Sequence, residues 1–148
     1  MNTWIFQSMP ARFRLPAFLS TNPDRALWKV SKYAKEMLPG DTVYLWQGLG
    51  SQKAPLSGIF GKGTIIRGPI DCEDDELSRK FWINSADATK SIPRALISIE
   101  HCKTNPIISR QNFSDDQVLR NSLIMRSAIG SNFEVSDDEA AVIYSLYS

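Results

Sequence analysis

The residues best suited to binding chemistry are a tryptophan and the lysines that follow it. Trp28 lies in the stretch RALWKVSKYAKEMLPGD (residues 25–41), ahead of Lys29, Lys32 and Lys35. An indole face can stack on any planar base for about 1–3 kcal/mol, and lysine side chains can hold phosphate oxygens. Arg12 and Arg14 join the lysines as candidate phosphate ligands. These residue types together suit a nucleotide, with its base stacked and its phosphates paired to cations.

Selectivity between bases requires more than one aromatic ring. One buried methyl group contributes roughly 0.8 kcal/mol, so a closed aromatic pocket prefers a methylated base only modestly. Stronger discrimination needs polar groups at the base edge, because unpaired buried donors are costly. Gln7 and Ser8 are our candidates for these groups. We expect the base to leave its stack in order to reach such a pocket.

Charge is distributed unevenly along the chain. Up to Arg67 there are nine lysines and arginines against three carboxylates, whereas from Gly68 onward there are eight against thirteen. This asymmetry is compatible with an anionic partner for the N-terminal half. It is equally compatible with two simply solvated faces.

Composition indicates an ordinary globular chain. Its 148 residues are 43% hydrophobic and 22% charged, which predicts one domain over residues 1–148 with a single core. We see no apolar run long enough for a membrane span and no secretory signal pattern. Two cysteines, Cys72 and Cys102, are too few for a disulfide framework. These features predict a cytoplasmic protein.

Motifs of known catalytic chemistry are missing. The sequence has no G-x-S-x-G elbow, H-E-x-x-H, Walker sequence or G-x-G-x-x-G element. His101 and Cys102 are adjacent on a predicted strand, point to opposite faces and cannot readily share a metal. We therefore expect no metal, no cofactor and no catalysis. An enzyme acting on nucleotides remains an alternative, with Asp41 and His101 as its only obvious groups.

Periodicity predicts the elements that position these residues. Residues 25–41 contain the helical stripe Val30, Tyr33, Ala34, Met37 and Leu38, and this stripe excludes Trp28. The predicted helix begins at Ser31 or a little earlier and ends at Pro39-Gly40. Residues 11–24 are predicted as a connection, 49–57 as a flexible loop and 71–76 (DCEDDE) as an acidic surface loop. Capping boxes are predicted at Ser114 with Gln117 and at Ser136 with Glu139. The predicted strands are residues 3–9, 41–47, 58–68, 80–85 and 94–102.

About six short, mostly hairpin-like strands with helices at the rim predict an α+β fold built on a small barrel. The strand around Gly58, Gly61 and Gly63 is rich in glycine. Glycine inside a strand marks a bulge, a tight bend or the close approach of another group.

The order and spacing of several motifs resemble the EVE domain, a PUA-like barrel related to the YTH readers of methylated RNA. The matching stretches are a YWIFQ-like start at Thr3–Pro10, W-x-V-S-x-Y at Trp28–Tyr33, P-G-D-x-V-Y-L-W within Pro39–Gly48, and G-I-x-G-x-G-x-I within Gly58–Ile66. Gly130–Phe133 resembles the family's G-T-N-F element, with Ser131 in place of threonine. The resemblance covers nearly the whole chain.

The resemblance implies a mixed pseudo-barrel of the EVE/YTH type and a pocket for a modified base. Carried over, Trp28 forms one wall of an aromatic cage and Lys29 offers its backbone N–H to the base edge. Trp82 aligns loosely with the second wall. The remaining pocket candidates are Trp46, Gly58 and Asn132.

The resemblance implies that the protein is a non-catalytic reader. Its implied partner is DNA or RNA that carries a modified base. Bacterial EVE domains often accompany nucleases or restriction-type machinery, so a separately encoded nuclease is a candidate second partner. The alternative within this fold class is a PUA-like RNA-binding domain that does not distinguish modified from unmodified bases.

Overall fold

The protein folds around one mixed β-sheet. The computed structural model describes residues 1–50, 56–127 and 129–148. The strands follow the order β2-β5-β4-β3-β1-β7, and β6 pairs with β4 off this path. Strands β1 and β3 are parallel, whereas the other pairings are antiparallel. The strands are β1 (Thr3–Ser8), β2 (Arg25–Lys29), β3 (Thr42–Gln47), β4 (Gly58–Cys72), β5 (Ile92–Cys102), β6 (Ile108–Ser109) and β7 (Asn132–Val135).

Short helices surround this sheet. The longest, at the C-terminus, starts at the predicted capping box, in which Ser136 accepts from the Glu139 N–H and Glu139 accepts from the Ser136 N–H. Two 3₁₀ turns cover Ala34–Glu36 and Leu119–Asn121. The helices are α1 (Leu15–Leu19), α2 (Glu76–Arg79), α3 (Ala86–Thr89), α4 (Arg110–Asp115), α5 (Leu123–Arg126) and α6 (Asp137–Tyr147).

Strand β4 gives the sheet its barrel-like form. Its first part pairs with β3, and it continues along β5 through three irregularities in register. Such bulges increase the local twist and bend the strand. The combination of a twisted mixed sheet and flanking helices is the α+β, barrel-like arrangement predicted from the sequence.

The sheet separates two apolar clusters. On β3, Val43 and Leu45 point into the first cluster, and Tyr44 and Trp46 point into the second. This is the two-residue alternation predicted for that strand. The first cluster contains Trp28, and the second lies under α4, α5 and α6.

The helix predicted to begin near Ser31 and to end at Pro39-Gly40 is wrong, because this segment forms a 3₁₀ turn over Ala34–Glu36 and no α-helix. Residues 25–29 form β2, in which Ala26 and Trp28 are buried and Leu27 and Lys29 are partly exposed. Val30 is also buried, so the true period is two rather than 3.6. Leu38, counted on the helical stripe, is 58% exposed. Trp28 does not fit the helical stripe because it lies on the buried face of a β-strand, together with Ala26.

Three smaller predictions also need correction. Residues 80–85 form no strand, and Trp82 makes only an isolated bridge to Phe13. The connection over residues 11–24 contains α1. The capping box predicted at Ser114 lies at Ser109 with Asn112, because the helix begins five residues earlier.

The predicted flexible loop at residues 49–57 falls largely on residues 51–55, which lie outside the described residues. Across the described part of the chain, no helix is long and apolar enough to cross a membrane.

Candidate functional site

A cavity of about 640 Å³ opens beside β2. Its walls come from the end of β1 and the residues after it, from β2, from the segment carrying α2 and α3, and from residues 129–131. We call it the Trp28 cavity. Its volume lies within the ~300–1,000 Å³ typical of small-ligand sites. A pocket of this size can admit one nucleobase.

Aromatic rings form much of this wall. Trp28 and Trp82 both line the cavity, together with Phe13 and Phe18. Trp28 is only 8% exposed, because it also packs on the first apolar cluster, where its ring lies 6.1 Å from that of Phe6. The ring of Phe13 meets that of Trp82 edge to face at 4.9 Å. Both indoles are therefore held by neighbouring rings while remaining part of the cavity wall.

The backbone of β2 presents a donor at the free edge of the sheet. Val30 N–H donates to the Pro93 carbonyl at 2.9 Å. Peptide groups alternate in direction along an antiparallel pair, so Lys29 points its N–H and C=O away from β5. The Lys29 carbonyl accepts from Asn132 Nδ2 at 3.1 Å, and Ser31 N–H donates to Asn132 Oδ1 at 2.8 Å. The Asn132 amide fixes this stretch of backbone but is not itself part of the cavity lining.

Two polar side chains at the end of β1 line the cavity. Ser8 is 7% exposed, and its hydroxyl has no hydrogen-bond partner among the described residues. Gln7 donates from Nε2 to the Gly130 carbonyl at 2.7 Å. The Gln7 N–H donates to the Ser131 carbonyl, which links β1 to the opposite rim. Ser8 therefore lines the cavity and carries a buried hydroxyl whose donor and acceptor are unused within the described residues.

Asp74, a buried acidic residue, also lines this cavity. Asp74 is 3% exposed, and its Oδ2 accepts from Trp82 Nε1 at 2.6 Å while its Oδ1 accepts from the Asp75 N–H at 2.8 Å. Burial raises the pKa of Asp74 above its ordinary value, and the bond from Trp82 opposes part of that shift. Asp74 belongs to the loop predicted to be solvated, so that prediction is wrong for this residue.

Arg94 supports the segment that carries these groups. The side chain is completely buried and donates to the carbonyls of Cys72, Asp87 and Lys90. Its guanidinium lies 5.9 Å from the centroid of the Trp82 ring. Because these acceptors are spread over the β4–β5 connection, Arg94 ties α3 and the end of β4 together behind Trp82.

Cations also reach the cavity. Arg12 and Lys90 are exposed, Lys29 is partly exposed, and all three line it. Lys90 lies 3.9 Å from Asp87, another lining residue. Exposed cations at the rim of an apolar pocket suit an anionic backbone outside a bound base.

The structure brings together half of the predicted site residues and separates the others. Trp28, Lys29, Gln7, Ser8, Trp82 and Arg12 line the cavity. Arg14, Lys32 and Lys35 are exposed but do not line it.

Trp46 and Gly58 lie elsewhere. Trp46 is fully buried in the second cluster, with its ring 4.9 Å from that of Phe113. Gly58 abuts β6, and a side chain there would overlap the Ile108 carbonyl oxygen. The sequence predicted a bulge, a tight bend or the close approach of another group at this glycine, and the group that approaches it is the backbone of β6.

The two residues named for an enzyme are also remote from the cavity lining. Asp41 is buried and accepts from Trp4 Nε1 at 3.0 Å and from the N–H groups of Asn2 and Leu38. His101 Nδ1 contacts the Tyr147 hydroxyl at 2.8 Å. Over residues 1–50, 56–127 and 129–148, no cluster of three or more histidine, cysteine, aspartate or glutamate side chains could hold a metal ion.

Sequence reasoning missed Asp74, Phe13 and Lys90. The one available signal was that a buried indole N–H needs an acceptor. It could not identify Asp74, because the acidic stretch offers four carboxylates between residues 71 and 75 without indicating which one turns inward.

Comparison with known proteins identifies related sequences and folds. The EVE domain family profile matches residues 2–146. Human THYN1, solved in complex with 5-methylcytosine containing DNA, is 16% identical with a TM-score of 0.68, covering 100% of this chain and 98% of that chain. A Pseudomonas syringae protein is 21% identical with a TM-score of 0.65, covering 99% of both chains. A hypothetical Leishmania major protein is 16% identical with a TM-score of 0.67, covering 99% of this chain and 94% of that chain. No curated protein matches the sequence significantly.

Proposed function

The chain belongs to the EVE domain family, and from that premise we propose that it is a non-catalytic reader of a modified base in DNA or RNA. The base leaves its stack and enters the Trp28 cavity, while the strand backbone remains at the rim. The observation that carries this proposal is the cavity itself, which combines two indole rings with an unpartnered buried hydroxyl at Ser8.

The aromatic wall supplies affinity that does not depend on sequence. Stacking on an indole contributes about 1–3 kcal/mol per base. Trp28 and Trp82 are held by Phe6 and Phe13 respectively, so little ordering is needed when a ligand binds. A methyl group buried against these rings adds about 0.8 kcal/mol.

Polar groups supply orientation. The alternation of β2 turns the Lys29 N–H toward its free edge, and Lys29 lines the cavity. A fixed backbone N–H is a suitable donor for a ring nitrogen or carbonyl oxygen at the base edge. At the rim of the cavity, Arg12 and Lys90 pair with phosphates of the nucleic acid. The exposed side chains of Arg14, Lys32 and Lys35 bind further phosphates along the same strand.

The relationship to THYN1 supports nucleic acid as the partner. That protein was solved with 5-methylcytosine containing DNA, and its fold matches this chain over nearly its full length. We extend that ligand class to this chain on the strength of the cavity. Any cleavage of the bound nucleic acid would fall to a separate protein, such as a nuclease or restriction enzyme.

The test is a binding comparison with matched oligonucleotides. Labelled DNA and RNA strands of one sequence carry a single central 5-methylcytosine, 5-hydroxymethylcytosine or N6-methyladenine, or the unmodified parent base. Fluorescence anisotropy then gives the affinity of the wild type, Trp28→Ala and Trp28→Phe for each strand. We expect at least one modified strand to bind more tightly than its parent, with about 5- to 150-fold loss in Trp28→Ala and a smaller loss in Trp28→Phe.

Trp46→Phe is the matched control. Trp46 is buried in the other cluster, and its Nε1 has no hydrogen-bond partner among the described residues, so phenylalanine removes no polar contact. Its binding should equal that of the wild type, and thermal melts confirm that each variant is folded. Equal affinity for modified and parent strands would instead support the PUA-like domain that ignores modification.

A further inference from the structure

Asp74 is the one carboxylate in the Trp28 cavity that is both deeply buried and free of an ion pair within the described residues. Asp87 also lines the cavity, but it is less buried and lies 3.9 Å from Lys90. Arg94 directs its guanidinium to three backbone carbonyls rather than to Asp74. Arg94 acts on Asp74 through its charge, but no salt bridge or hydrogen bond from a cation occupies the Asp74 carboxylate within the described residues.

Its two hydrogen bonds also leave acceptor capacity. Each oxygen of Asp74 accepts one bond, from Trp82 Nε1 and from the Asp75 N–H. A carboxylate has about four lone-pair positions. The bond from Trp82 is 2.6 Å long, so the carboxylate is held against an indole that is itself a wall of the cavity. Asp74 thus contributes to the cavity lining a carboxylate that is fixed in position and retains acceptor capacity.

We propose that Asp74 is a specificity-determining residue that accepts a hydrogen bond from an exocyclic amino group of the bound base. This inference rests on the proposed function. Cytosine and adenine types carry such an amino donor, whereas thymine, uracil and hypoxanthine carry a carbonyl oxygen in its place. The pocket therefore takes amino bases, including their modified forms, and rejects oxo bases.

Ser8 complements this acceptor. Its buried hydroxyl lacks a partner and can donate to the ring nitrogen or carbonyl beside the amino group. The cavity then offers an acceptor from Asp74 and a rotatable donor from Ser8. An oxo base would leave the buried carboxylate facing another lone pair, and an unpaired buried acceptor is costly.

The decisive comparison is between 5-methylcytosine and thymine. Both pyrimidines carry the same C5 methyl group, so they differ only where one has an amino group and ring nitrogen and the other has a carbonyl and N–H. Adenine and hypoxanthine form the corresponding purine pair. In single strands of identical sequence, we expect wild type to prefer the amino member of the bound pair at least tenfold, which is about 1.4 kcal/mol.

Asp74→Asn should bring this ratio close to one. The asparagine amide can either accept or donate, and it therefore serves both members of the pair. Asp87→Asn is the matched control, because it removes a carboxylate from the same cavity and should leave the ratio unchanged. If Asp87→Asn abolishes the preference and Asp74→Asn does not, the assignment to Asp74 is overturned.

A measurement on the wild-type protein covers the case in which Asp74→Asn does not fold. An oligonucleotide labelled with ¹⁵N at the 4-amino group of 5-methylcytosine should show a nuclear Overhauser contact between its amino protons and the Trp82 indole N–H. We expect this contact because Trp82 Nε1 and the amino group share the Asp74 carboxylate. Absence of the contact in a saturated complex overturns the inference.

The outcomes separate this inference from the proposed function. Trp28-dependent binding with an amino-to-oxo ratio at or below one overturns the role of Asp74 and leaves the reader function standing. If no strand binds in a Trp28-dependent manner, the proposed function fails and this inference fails with it.

Discussion

Asn132 on β7 holds the Lys29 carbonyl on β2, although these strands are the two opposite edges of the sheet. The same side-chain amide accepts from the Ser31 N–H at 2.8 Å. One asparagine thus acts like a peptide group in a β-ladder and joins the edges where no strand pairing closes the barrel. The residue it anchors follows Trp28 directly, so closure of the barrel and placement of the indole are coupled.

Removing this amide should loosen the cavity. Asn132→Ala leaves the Lys29 carbonyl and the Ser31 N–H without their partner, and we expect the free energy of unfolding to fall by about 1–3 kcal/mol. Urea denaturation measures this loss. Hydrogen exchange should accelerate selectively at the amides of residues 29–31.

Asn121→Ala is the control for that change. Asn121 is exposed, and within the described residues its side-chain amide makes one hydrogen bond, a long 3.5 Å contact from Nδ2 to the Gln117 carbonyl. We expect less than about 0.5 kcal/mol from this substitution. Equal destabilisation by the two variants would contradict the bridging role of Asn132.

The sequence predicted elements whose pattern is local. The alternation of β3 and the capping box at Ser136 both appear in the structure, because side-chain direction and N-terminal capping depend on residues close in the chain. Residues 25–41 were misread for the opposite reason. Over residues 25–29 the pairing of β2 with β5 sets a two-residue period, and the predicted helix after Ser31 is reduced to the 3₁₀ turn Ala34–Glu36.

The candidate site could be predicted only in part. The residues named from the sequence and from the resemblance include Trp28, Ser8 and Trp82, which do line the cavity. The burial of Asp74 depends on the Trp82 indole and on the packing of α2 and α3, which are contacts between segments without a regular period. The sequence of the acidic stretch between residues 71 and 75 does not indicate which of its carboxylates makes such a contact.

The raised pKa of Asp74 makes stability depend on pH. In the folded protein, burial raises this pKa above the ordinary 3.8, so the folded state retains its proton after the unfolded state has lost it. Stability attributable to Asp74 should therefore fall as pH rises from about 3.8 to the raised value, and then level off. The groups acting on this carboxyl include Trp82, Asp75 and Arg94.

Thermal melts of wild type and Asp74→Asn across this pH range test whether the stability due to Asp74 falls as pH rises. The melting temperature of wild type relative to the variant should decline as pH increases. Asp71→Asn, which alters an exposed carboxylate at the end of β4, should follow wild type. A melting temperature of wild type that rises relative to that of Asp74→Asn as pH increases would contradict the assignment.

Cations at the rim predict salt-dependent binding. Each phosphate neutralised contributes about 0.7 to the slope of log affinity against log salt for single strands. Arg12 is exposed at the cavity, so Arg12→Ala should reduce the magnitude of the slope by about that amount and weaken modified and parent strands equally.

Arg120→Ala provides the comparison for Arg12. This exposed arginine lies in the 3₁₀ turn Leu119–Asn121 and does not line the cavity. Its removal lowers the net charge equally but should leave the salt slope unchanged. Anisotropy titrations at several salt concentrations give both slopes, and a shared reduction would indicate a general charge effect.

Trp82 should contribute in two separable ways, through its ring and through its indole N–H. Trp82→Phe keeps an aromatic face but deletes the donor to Asp74, and a bond to a charged group contributes about 1.5–3 kcal/mol to stability. We therefore expect Trp82→Phe to lower the free energy of unfolding by an amount in that range while retaining much of the base affinity.

Trp82→Ala removes the ring as well, and it should cost a further 1–3 kcal/mol of binding free energy, about the value of one stacked base. Urea denaturation and anisotropy on the same two variants separate the effects. The N–H supports Asp74 and the ring supports the ligand, so stability should already fall in the phenylalanine variant and affinity mainly in the alanine variant. If both variants lose the same affinity, the ring face of Trp82 does not contact the base.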